Sequence, residues 1–440
     1  MFRLDENTPL TPELIKKIVN KFQQTELPRM EKLKDYYLNK TDILKRVVED
    51  PSKPNNKIAH PYAQYITDTL TAYFMGEPIV YTSEENIDPL KFILEYNDEQ
   101  DENMELAKAA SIFGRAWEML YMDLDGSIRF KQIDSREIIP VYDVTLDNDL
   151  LYVIRFYKEY NIMKDRYETI IEVYTKTEII NYVAAEVIGE LTEVGRKSHA
   201  FKEVPFVEYK NNEDNMGDFE SIISLIDAYD ALVSDSLNDY DYFCDAYLAL
   251  YGYTADADDV KAMKENRVLL MDQGTSAEFL TKNGDSAGID AEKTRVENDI
   301  HKFSKCPNSS DENFSGNTSG VAMKYKLFGT ENLGSIKERK FKRGLQRRLE
   351  LLSNILSVTA SYTLDWLGVV ITFTRNLPVN EDDLTTLVRN LNGVVSKKTL
   401  LSQLPFVEDA DNELAQLQAE QRSSIYYAAA NPTTNPTTEE

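Results

Sequence analysis

The segment from Asp218 to Tyr251 constrains the fold more than any other part of the chain. Its 34 residues contain neither glycine nor proline, the two residues that most often interrupt a helix. Apolar side chains recur there at the helical period, at Ile222, Ile226, Tyr229, Val233, Leu237, Tyr240 and Tyr247. One helix over this segment would be roughly 50 Å long, at about 1.5 Å per residue. Because a small core does not need such a helix, we predict that it spans domains or packs against copies of itself.

The same segment is strongly acidic. It carries Asp218, Glu220, Asp227, Asp230, Asp235, Asp239, Asp241 and Asp245, and no lysine or arginine occurs from Asn211 through Val260. Over the whole chain, 49 basic and 75 acidic residues give a net charge of −26. Such a chain repels phosphates except at local basic patches, which excludes a protein that coats itself with nucleic acid. The net charge could also serve only to increase solubility, so it does not by itself indicate a function.

Basic residues are concentrated between Lys324 and Arg348, where nine lysines or arginines accompany only two acids. Runs of like charge are usually solvated helix faces or pairing partners. We therefore favour a solvated face, or pairing with the acidic helix of another subunit, over direct contact with phosphate.

The N-terminal half predicts an α+β fold. Thr11 followed by Pro12 is a typical helix start, and a second helix is predicted from about Tyr62 to Met75. From Arg115 to about Tyr209 the apolar period changes to two, which is typical of strands separated by turns. The interpretation is a mainly antiparallel sheet beside helices. A length of 440 residues favours two to four domains.

The C-terminal half alternates between short modules and helices. After the acidic segment we predict a helix over 256–266, a hairpin of 267–271 with 276–282, and a helix from Ile289 to Ser304. A polar loop covers 306–320. A helix over 335–362, a buried strand over 368–373 and two or three short helices over 381–427 follow. The tail from Ala428 repeats Asn-Pro-Thr-Thr and is expected to be disordered.

Motifs of known catalytic chemistry are missing from the sequence. It contains no P-loop, no Gly-x-Gly-x-x-Gly after a strand and no Gly-x-Ser-x-Gly elbow. His60, His199 and His301 are far apart in sequence, so they are expected to be structural or surface residues rather than metal ligands. Gly316–Gly320 lacks the Lys-Ser/Thr of a phosphate-binding loop, which favours a plain loop. We predict no cofactor and no bound metal.

Two alternatives stay open. Asp239 with Asp241, or Asp256 with Asp258 and Asp259, could hold a divalent cation, which would suit a metal-dependent enzyme. Residues two apart on a helix point to different sides, so a solvated acidic face is favoured. The other alternative is a monomeric protein-binding module.

Cellular location follows from three observations. Cys244 and Cys306 are the only cysteines and cannot form a disulfide framework, which favours a reducing cytoplasmic setting. No apolar run reaches the length of about 18 residues that suggests a membrane helix. The first residues show no basic start before an apolar stretch, so no secretory signal is predicted.

Several short segments, taken together in their order and spacing along the chain, resemble those of a known protein family. They are Leu33-Lys34-Asp35-Tyr36-Tyr37, Pro54-Asn55-Asn56-Lys57-Ile58, Tyr73-Phe74-Met75-Gly76-Glu77-Pro78-Ile79, Val204-Pro205-Phe206-Val207-Glu208-Tyr209, the helix Ile222–Asp235, Ser309-Ser310-Asp311-Glu312-Asn313-Phe314, Ser319-Gly320-Val321-Ala322 and Phe373-Thr374-Arg375-Asn376-Leu377-Pro378. The chain resembles portal proteins of long-tailed bacteriophages, of the Gram-positive siphophage (SPP1-like) type. It departs from that pattern at Asn39, where a glycine is expected, and in a short tail after residue 427.

The resemblance implies a multi-domain portal fold with long stem helices, an α/β wing and clip, and a helical crown. The implied division is an N-terminal α+β wing (1–217), a stem helix (218–251), a clip (252–288), a second stem helix (289–307), a tunnel loop with the start of a wing helix (308–334), the wing helix and strand (335–380), the crown (381–427) and a tail (428–440).

The resemblance also implies a structural, non-catalytic role. It implies a homo-oligomeric ring, usually of twelve subunits, at one vertex of the capsid. Double-stranded DNA would pass through its channel without sequence specificity during packaging and ejection. The implied partners are the terminase large subunit, a head-completion or connector protein, and the major capsid and scaffolding proteins. The protein would be assembled in the host cytoplasm and reside in the virion.

Particular residues follow from that division. The tunnel loop would be Asn308, Ser309, Ser310, Asp311, Glu312, Asn313, Phe314, Ser315 and Gly316; Lys302 and Lys305 would face the channel; Asp256, Asp258 and Asp259 would lie on the terminase-docking rim of the clip; Val233 and Leu237 would lie in the subunit interface. A long helix without basic residues suits a conduit, because tight phosphate contacts would hinder every step of translocation. The acidic residues of the long helix are expected to form a wall that keeps the duplex mobile.

Overall fold

The fold is seen in a computed structural model that describes residues 2–51, 53–185, 190–244, 247–251, 256, 258, 261, 274–280, 286–308, 325–360, 362–376, 386, 388–402, 404, 407, 410 and 412–420. Within these residues the main helices are α1 (Pro12–Tyr37), α2 (Tyr62–Met75), α3 (Asp88–Tyr96), α4 (Glu99–Phe113), α5 (Ile223–Cys244), α6 (Ser286–Ser304), α7 (Phe328–Thr359) and α8 (Lys397–Leu401).

The strands are β1 (Phe2–Arg3), β2 (Val80–Thr82), β3 (Arg115–Met122), β4 (Ile128–Ile133), β5 (Ile138–Tyr142), β6 (Leu150–Asn161), β7 (Arg166–Tyr174), β8 (Glu178–Ala185), β9 (Thr192–Ser198), β10 (Phe206–Lys210), β11 (Tyr247–Tyr251), β12 (Ser276–Leu280) and β13 (Val370–Thr372). Short 3₁₀ turns cover Asp42–Lys45, Ser135–Glu137 and Glu220–Ile222. This is a mixed α+β fold, as the sequence predicts.

The first helix begins where the sequence predicts. The Thr11 hydroxyl accepts a hydrogen bond from the Leu14 N–H at 3.3 Å, and Pro12 opens the helix. A side-chain cap at this position satisfies one of the free N–H groups of the first turn. The predicted helix from Tyr62 to Met75 is also confirmed, as α2.

The predicted sheet region folds into two sheets rather than one. The larger sheet has the order β1-β5-β6-β7-β8-β9, and the smaller one has the order β10-β3-β4. All pairs are antiparallel except β1 with β5. The prediction of a mainly antiparallel arrangement is therefore confirmed. The strand predicted at 368–373 is present as β13, which pairs with β2 and so joins the C-terminal part of the chain to the N-terminal part.

Helix α7 packs closely on strand β10. Gly344 makes this possible, because a Cβ atom at that position would lie 2.5 Å from the Tyr209 ring. The Tyr209 and Phe341 rings lie 4.6 Å apart, and both side chains are buried in the main apolar core. The core thus connects the two sequence-distant halves of the chain.

The long acidic helix is shorter than predicted. It ends at Cys244, and residues 247–251 form β11, which pairs antiparallel with β12 from Tyr247 opposite Leu280 to Tyr251 opposite Ser276. A helix-compatible composition is a weak preference that pairing with a distant strand overrides. The prediction of one helix through residue 251 is wrong in this last part. The predicted strand 267–271 lies outside the described residues.

The remaining C-terminal predictions agree in part with the structure. Helix α6 begins at Ser286 and α7 at Phe328, both earlier than expected. In the region expected to hold short helices, the described helical residues are 386, 388–391, α8, 410 and 412–420. The expected tail from Ala428 lies outside the described residues. None of the described helices combines the length and apolarity that crossing a bilayer requires.

Candidate functional site: the α5–α6 helix pair and its anchors

Helices α5 and α6 pack against each other and form the framework of the candidate site. Aromatic rings join them to α2. The Tyr62 ring lies 5.2 Å from Tyr229 on α5 and 6.1 Å from His301 on α6, both in edge-to-face geometry. Such pairs stabilise beyond their buried area. The pair is therefore held on the N-terminal body by side chains rather than only by its connecting segment.

A buried ion pair fixes the start of the acidic segment. The Lys337 ammonium on α7 lies 2.5 Å from the Asp218 carboxylate and donates to the Asn211 amide oxygen at 2.6 Å. Asp218 also accepts from the Ser111 hydroxyl at 2.5 Å. The two charged side chains are only 6% and 2% exposed. Because a buried charge is tolerated only when it is paired and hydrogen-bonded, this cluster fixes where α5 leaves the body.

A second ion pair ties the same region to α1. Arg29 donates to both carboxylate oxygens of Glu220, at 2.6 and 2.5 Å, and to the Asn215 carbonyl at 2.8 Å. Bidentate pairs of this kind fix geometry as well as adding energy. The base of α5 is thus held by α1 on one side and by α7 on the other.

Along α5, the acidic side chains contact one segment, residues 36–60. Asp227 accepts from the Tyr36 hydroxyl at 2.6 Å, and Asp235 accepts from Arg46 at 2.6 Å. Asp230 is fully buried and accepts from the Thr41 hydroxyl at 2.7 Å and from the His60 N–H at 2.9 Å. Asp230 is buried and so cannot belong to an acidic wall, whereas Asp235 stays exposed beside Arg46, and the wall itself stays a prediction.

Towards the C-terminal end of α5, Asn238 and Asp241 also form hydrogen bonds with the segment 36–60. The Asn238 side chain accepts from the Asn56 N–H at 2.7 Å, and Asp241 accepts from the Asn56 side-chain amide at 2.6 Å.

Asn39, near the start of the segment 36–60, has φ +58°, a left-handed conformation. Glycine adopts that conformation without strain and asparagine tolerates it. Asparagine in place of the expected glycine is therefore compatible with this backbone conformation.

The predicted interface residues on α5 differ in exposure. Val233 is half-buried, whereas Leu237 is 37% exposed and Tyr240, one turn further, is 67% exposed. Within the described residues, the apolar stripe of α5 is thus covered near its start and open near its end. An interface role for Val233 and Leu237 stays a prediction.

Helix α6 ends in exposed lysines above a buried anchor. Lys302 and Lys305 are both exposed, and the Lys302 ammonium lies 5.4 Å from the Phe303 ring centroid. Cys306 behind them is buried, and burial raises the pKa of its thiol to about 12. A thiol in that state is unreactive at neutral pH.

The two ends of the polar loop are held together. The Pro307 carbonyl accepts from the Tyr65 hydroxyl at 2.8 Å. The Lys305 carbonyl accepts from the Thr330 hydroxyl on α7 at 2.7 Å. Asn308 is half-buried at the exit. The loop residues Ser309, Ser310, Asp311, Glu312, Asn313, Phe314, Ser315 and Gly316 lie outside the described residues.

The clip acids are only partly described. Asp256 and Asp258 are exposed, and the Asp258 N–H donates to the Asp256 carboxylate at 3.0 Å. Asp259 lies outside the described residues. Within the described part of the chain, no three His, Cys, Asp or Glu side chains are grouped as a metal site would require.

Helix α7 is rich in basic residues. At its two most buried positions, Lys337 and Arg348, the side chains are paired inside the protein and do not belong to a solvated face. Arg348, fully buried, donates to both oxygens of Glu118 at 2.9 and 2.7 Å and to Glu99 at 3.0 Å. The Tyr209 hydroxyl also donates to Glu118, at 3.0 Å. Burial raises the pKa of Glu118, although Arg348 and Tyr209 act against this. Arg348 therefore links α7 to α4 and β3 from inside the core.

Sequence reasoning missed these anchors, although one signal was present. Lys337 and Arg348 share the helical phase of the apolar residues Phe341 and Leu345 on α7. A charged residue in an apolar phase predicts a buried, paired charge rather than a solvated one. By contrast, the roles of Tyr65 and Thr330 depend on contacts between distant segments and have no local signal.

Comparison with known proteins gives a consistent result. Residues 16–426 match the family described as phage portal protein, SPP1 Gp6-like. The portal protein of Bacillus phage SPP1 is 24% identical over 417 residues, which cover 88% of this chain and 82% of that protein. The portal protein of Clostridium phage phiCD119 is 25% identical over 415 residues, which cover 86% of this chain and 89% of that protein.

Among solved structures, the neck of a native GTA particle computed with C12 symmetry is similar with a TM-score of 0.46 and 10% identity, covering 78% of this chain and 88% of that chain. The family match spans most of the sequence, from the first helix to beyond residue 420. This chain therefore belongs to the SPP1 Gp6-like family of phage portal proteins.

Proposed function

We propose that this protein forms a ring of subunits at one capsid vertex, through which double-stranded DNA is packaged and later ejected. The observation that carries the proposal is the family match over residues 16–426. The fold supports it, because α5 packs on α6 and is fixed at its base by the buried Lys337–Asp218 pair and the half-buried Arg29–Glu220 pair. The protein would act as a structural virion component with no catalytic centre.

The parts of the ring follow the division given above. The body built from α1–α4, the two sheets and α7 would be the wing, and α5 with α6 would be the stem. The β11–β12 pair and its surroundings would be the clip, which docks the terminase large subunit and later a connector protein. Residues 381–427 would be the crown. Capsid and scaffolding proteins would surround the wing.

The subunit interface would use the open end of the α5 stripe. Leu237 and Tyr240 are large apolar side chains left exposed in the single chain. An exposed apolar patch on a rigid element commonly marks an interaction surface. A neighbouring subunit would cover them, so that ring formation completes the burial that the chain begins at Val233.

The polar loop would act as the tunnel loop. Tyr65 holds Pro307 and Thr330 holds Lys305, so the described residues on the two sides of the segment 309–324 are held to the body and to each other. A loop pinned at both ends can approach DNA while its base stays fixed. Exposed Lys302 and Lys305 at that base would give transient, sequence-independent phosphate contacts.

The clip acids give a docking proposal. Asp256 and Asp258 are exposed, and with Asp259 they would form part of the rim that faces the packaging motor. Reversing their charge should weaken terminase association without unfolding the subunit. Unchanged association would remove this rim from the docking surface.

Imaging and mass measurement test the ring directly. Purified protein should form particles with a central hole and a mass near twelve times the chain mass of 50.5 kDa. Shortening the segment 309–316 should leave these rings intact but impair packaging or retention of DNA. A purely monomeric protein under all conditions would contradict the ring, and normal packaging by the shortened variant would contradict the tunnel-loop role alone.

A further inference from the structure

A pocket opens where α2 begins, against the C-terminal half of α6. It measures about 250 Å³. Pockets for whole small molecules are usually about 300 Å³ or more, so this one is sized for a single side chain. Its described lining residues are His60, Pro61, Tyr62, Tyr65, Glu297, His301 and Asn308. The lining is thus mainly aromatic and contains one carboxylate.

The aromatic rings of the pocket are fixed by contacts within the chain. The His301 ring centroid lies 6.1 Å from that of Tyr62 and 5.8 Å from that of Tyr65, both in edge-to-face geometry. The Nδ1 atom of His301 lies 3.2 Å from the Cys306 carbonyl oxygen, and the Tyr65 hydroxyl donates to the Pro307 carbonyl at 2.8 Å. Rings that are already ordered lose little conformational freedom when a partner binds.

The pocket is also electronegative. Glu297 is half-buried, and its carboxylate forms no ion pair or hydrogen bond with another described residue. No lysine or arginine is among the described lining residues. His60 carries a positive charge only when protonated, and the buried Asp230 carboxylate, 2.8 Å away, would then balance it. Burial raises the pKa of the Tyr62 hydroxyl most, and the negative charges of Glu297 and Asp230 raise it further.

This combination of groups suits a guanidinium. Above the ordinary titration range of histidine, the described lining carries one negative charge, from Glu297. A partly buried carboxylate without a counter-charge is unfavourable, and a cation in the pocket would relieve it. Aromatic rings attract cations through their faces. Arginine is the side chain that both stacks on such rings and pairs with a carboxylate.

The described part of this chain offers suitable arginines on its surface. The exposed arginines that form no ion pair or hydrogen bond with another described residue are Arg3, Arg339, Arg343 and Arg389. Lys340 chiefly, and Arg343 with it, lower the pKa of Glu213, so the charge of Arg343 already has an acidic neighbour. Arg3, Arg339 and Arg389 remain as cations that complement the pocket.

The pocket is continuous with the proposed subunit interface. The Tyr62 ring also contacts Tyr229, from which the apolar stripe of α5 runs through Val233 to the exposed Leu237. We propose that this pocket receives the guanidinium of an arginine from a neighbouring copy of the chain, namely Arg3, Arg339 or Arg389. The inference rests on the ring of the proposed function. Glu297 would pair with the guanidinium, and the tyrosine rings would pack against it.

Ring stability measures this contact. At pH 8, Glu297→Gln should raise the protein concentration needed for half-maximal ring formation about tenfold, because the guanidinium would lose its counter-charge. Unfolding of the dissociated subunit should be unchanged, since Glu297 has no side-chain partner among the described residues. Asp299→Asn removes the same charge from α6 outside the pocket lining. This control variant should assemble like the unsubstituted protein.

Cross-linking identifies the arginine. Glu297→Cys is combined in turn with Arg3→Cys, Arg339→Cys or Arg389→Cys in the full-length protein, and each variant is treated with a short bismaleimide. One combination should give covalent multimers. Glu297→Cys alone and the other two combinations should give only the background from Cys244 and Cys306.

The outcomes separate this contact from the ring itself. Ring formation that is unchanged by Glu297→Gln, or covalent multimers from none of the three combinations, would overturn the arginine contact and leave the ring standing. Absence of rings from the unsubstituted protein would contradict the proposed function, and the arginine contact with it.

Discussion

Helices α5 and α7 carry opposite charge, yet the structure uses that charge in different ways. On α7, Lys337 and Arg348 point inward and are almost fully buried. On α5, Asp227, Asp230 and Asp235 contact the neighbouring segment 36–60, and the apolar stripe beyond Ser234 opens to solvent. Helix α7 thus pairs its two most buried cations within its own chain, whereas α5 leaves Leu237 and Tyr240 of its apolar stripe exposed. A local concentration of charged residues in a sequence therefore does not distinguish a buried ion pair from an exposed surface that could bind a partner.

The largest effect is expected at the core anchor. Arg348→Met should lower the free energy of unfolding by about 3–5 kcal/mol, because Glu99 and Glu118 would stay buried without their counter-charge. Chemical denaturation of the purified protein measures this loss. Arg343→Met, at an exposed position on the same helix, is the control and should stay within about 0.5 kcal/mol.

The pH dependence of the Arg348→Met defect tests its cause. Burial raises the pKa of Glu118, and Arg348 acts against this, so without the guanidinium Glu118 would take up a proton more readily in the folded state than when unfolded. The defect should therefore shrink as the pH falls from 7 towards 5. A defect that is equally large at both pH values would point to lost packing against Phe130 and Tyr209 instead of uncompensated charge.

A smaller loss is expected where α5 contacts the segment 36–60. Asp230→Ala should cost about 2–3 kcal/mol, because the Thr41 hydroxyl and the His60 N–H would lose their buried acceptor. Hydrogen exchange should accelerate selectively in residues 41–60. Ser224→Ala, an exposed substitution on the same helix, should leave exchange there unchanged. Uniform acceleration across the protein would show that Asp230 supports global folding rather than this local contact.

The open end of α5 should behave in the opposite way. Leu237→Asp is expected to change the stability of the isolated subunit by less than about 1 kcal/mol, because Leu237 is already 37% exposed. Burying the new carboxylate between subunits would cost several kcal/mol, so rings should be lost. Size measurement in solution detects this, and Leu237→Met should keep rings intact. Normal rings from both Leu237→Asp and Val233→Asp would show that this stripe is not buried in the assembly.

Local patterns predicted the elements whose signals are contained within a few residues. Thr11 and Pro12 predict the start of α1. The alternation of apolar and polar residues in 115–122 and 150–160 predicts β3 and β6. The local pattern of 247–251 predicts helix, but this segment is a strand because it pairs with residues 276–280, which lie some distance along the chain. The same limit hides the Arg348 network, since Glu118 and Glu99 lie 230 and 249 residues away in sequence. The apolar helical phase of Arg348 indicates that it is buried and paired, but no local pattern identifies Glu118 and Glu99 as its partners.

The same limit applies to the candidate site, where some properties could be predicted from local sequence and others depend on contacts between distant segments. Lys302, Lys305, Asp256 and Asp258 are exposed, as charged side chains usually are, and their channel-facing and docking roles stay predictions. On α5, nothing near Asp230 in sequence shows that residues 36–60 bury this carboxylate, whereas Asp235, Asp239 and Asp241 are exposed. Composition therefore indicates which side chains are charged, and only the fold shows which of those charges are already paired.

The smallest effect is expected at His199, on the connection from β9 to β10, where one ring nitrogen is satisfied and the other is not. Its Nε2 lies 3.0 Å from the Thr175 carbonyl, whereas Nδ1 is buried and without a hydrogen-bond partner among the described residues. Burial lowers the pKa of His199 below its ordinary value of 6.5. A lowered pKa means that the unfolded chain binds the proton more readily, so stability present above pH 6.5 declines as the pH falls below it. His199→Gln, which can still donate to Thr175, should remove that decline between pH 7 and 5 in denaturation experiments, and His301→Gln should retain it. An unchanged decline in His199→Gln would assign the pH sensitivity to other groups and leave the neutral, half-satisfied imidazole without a measurable role in stability.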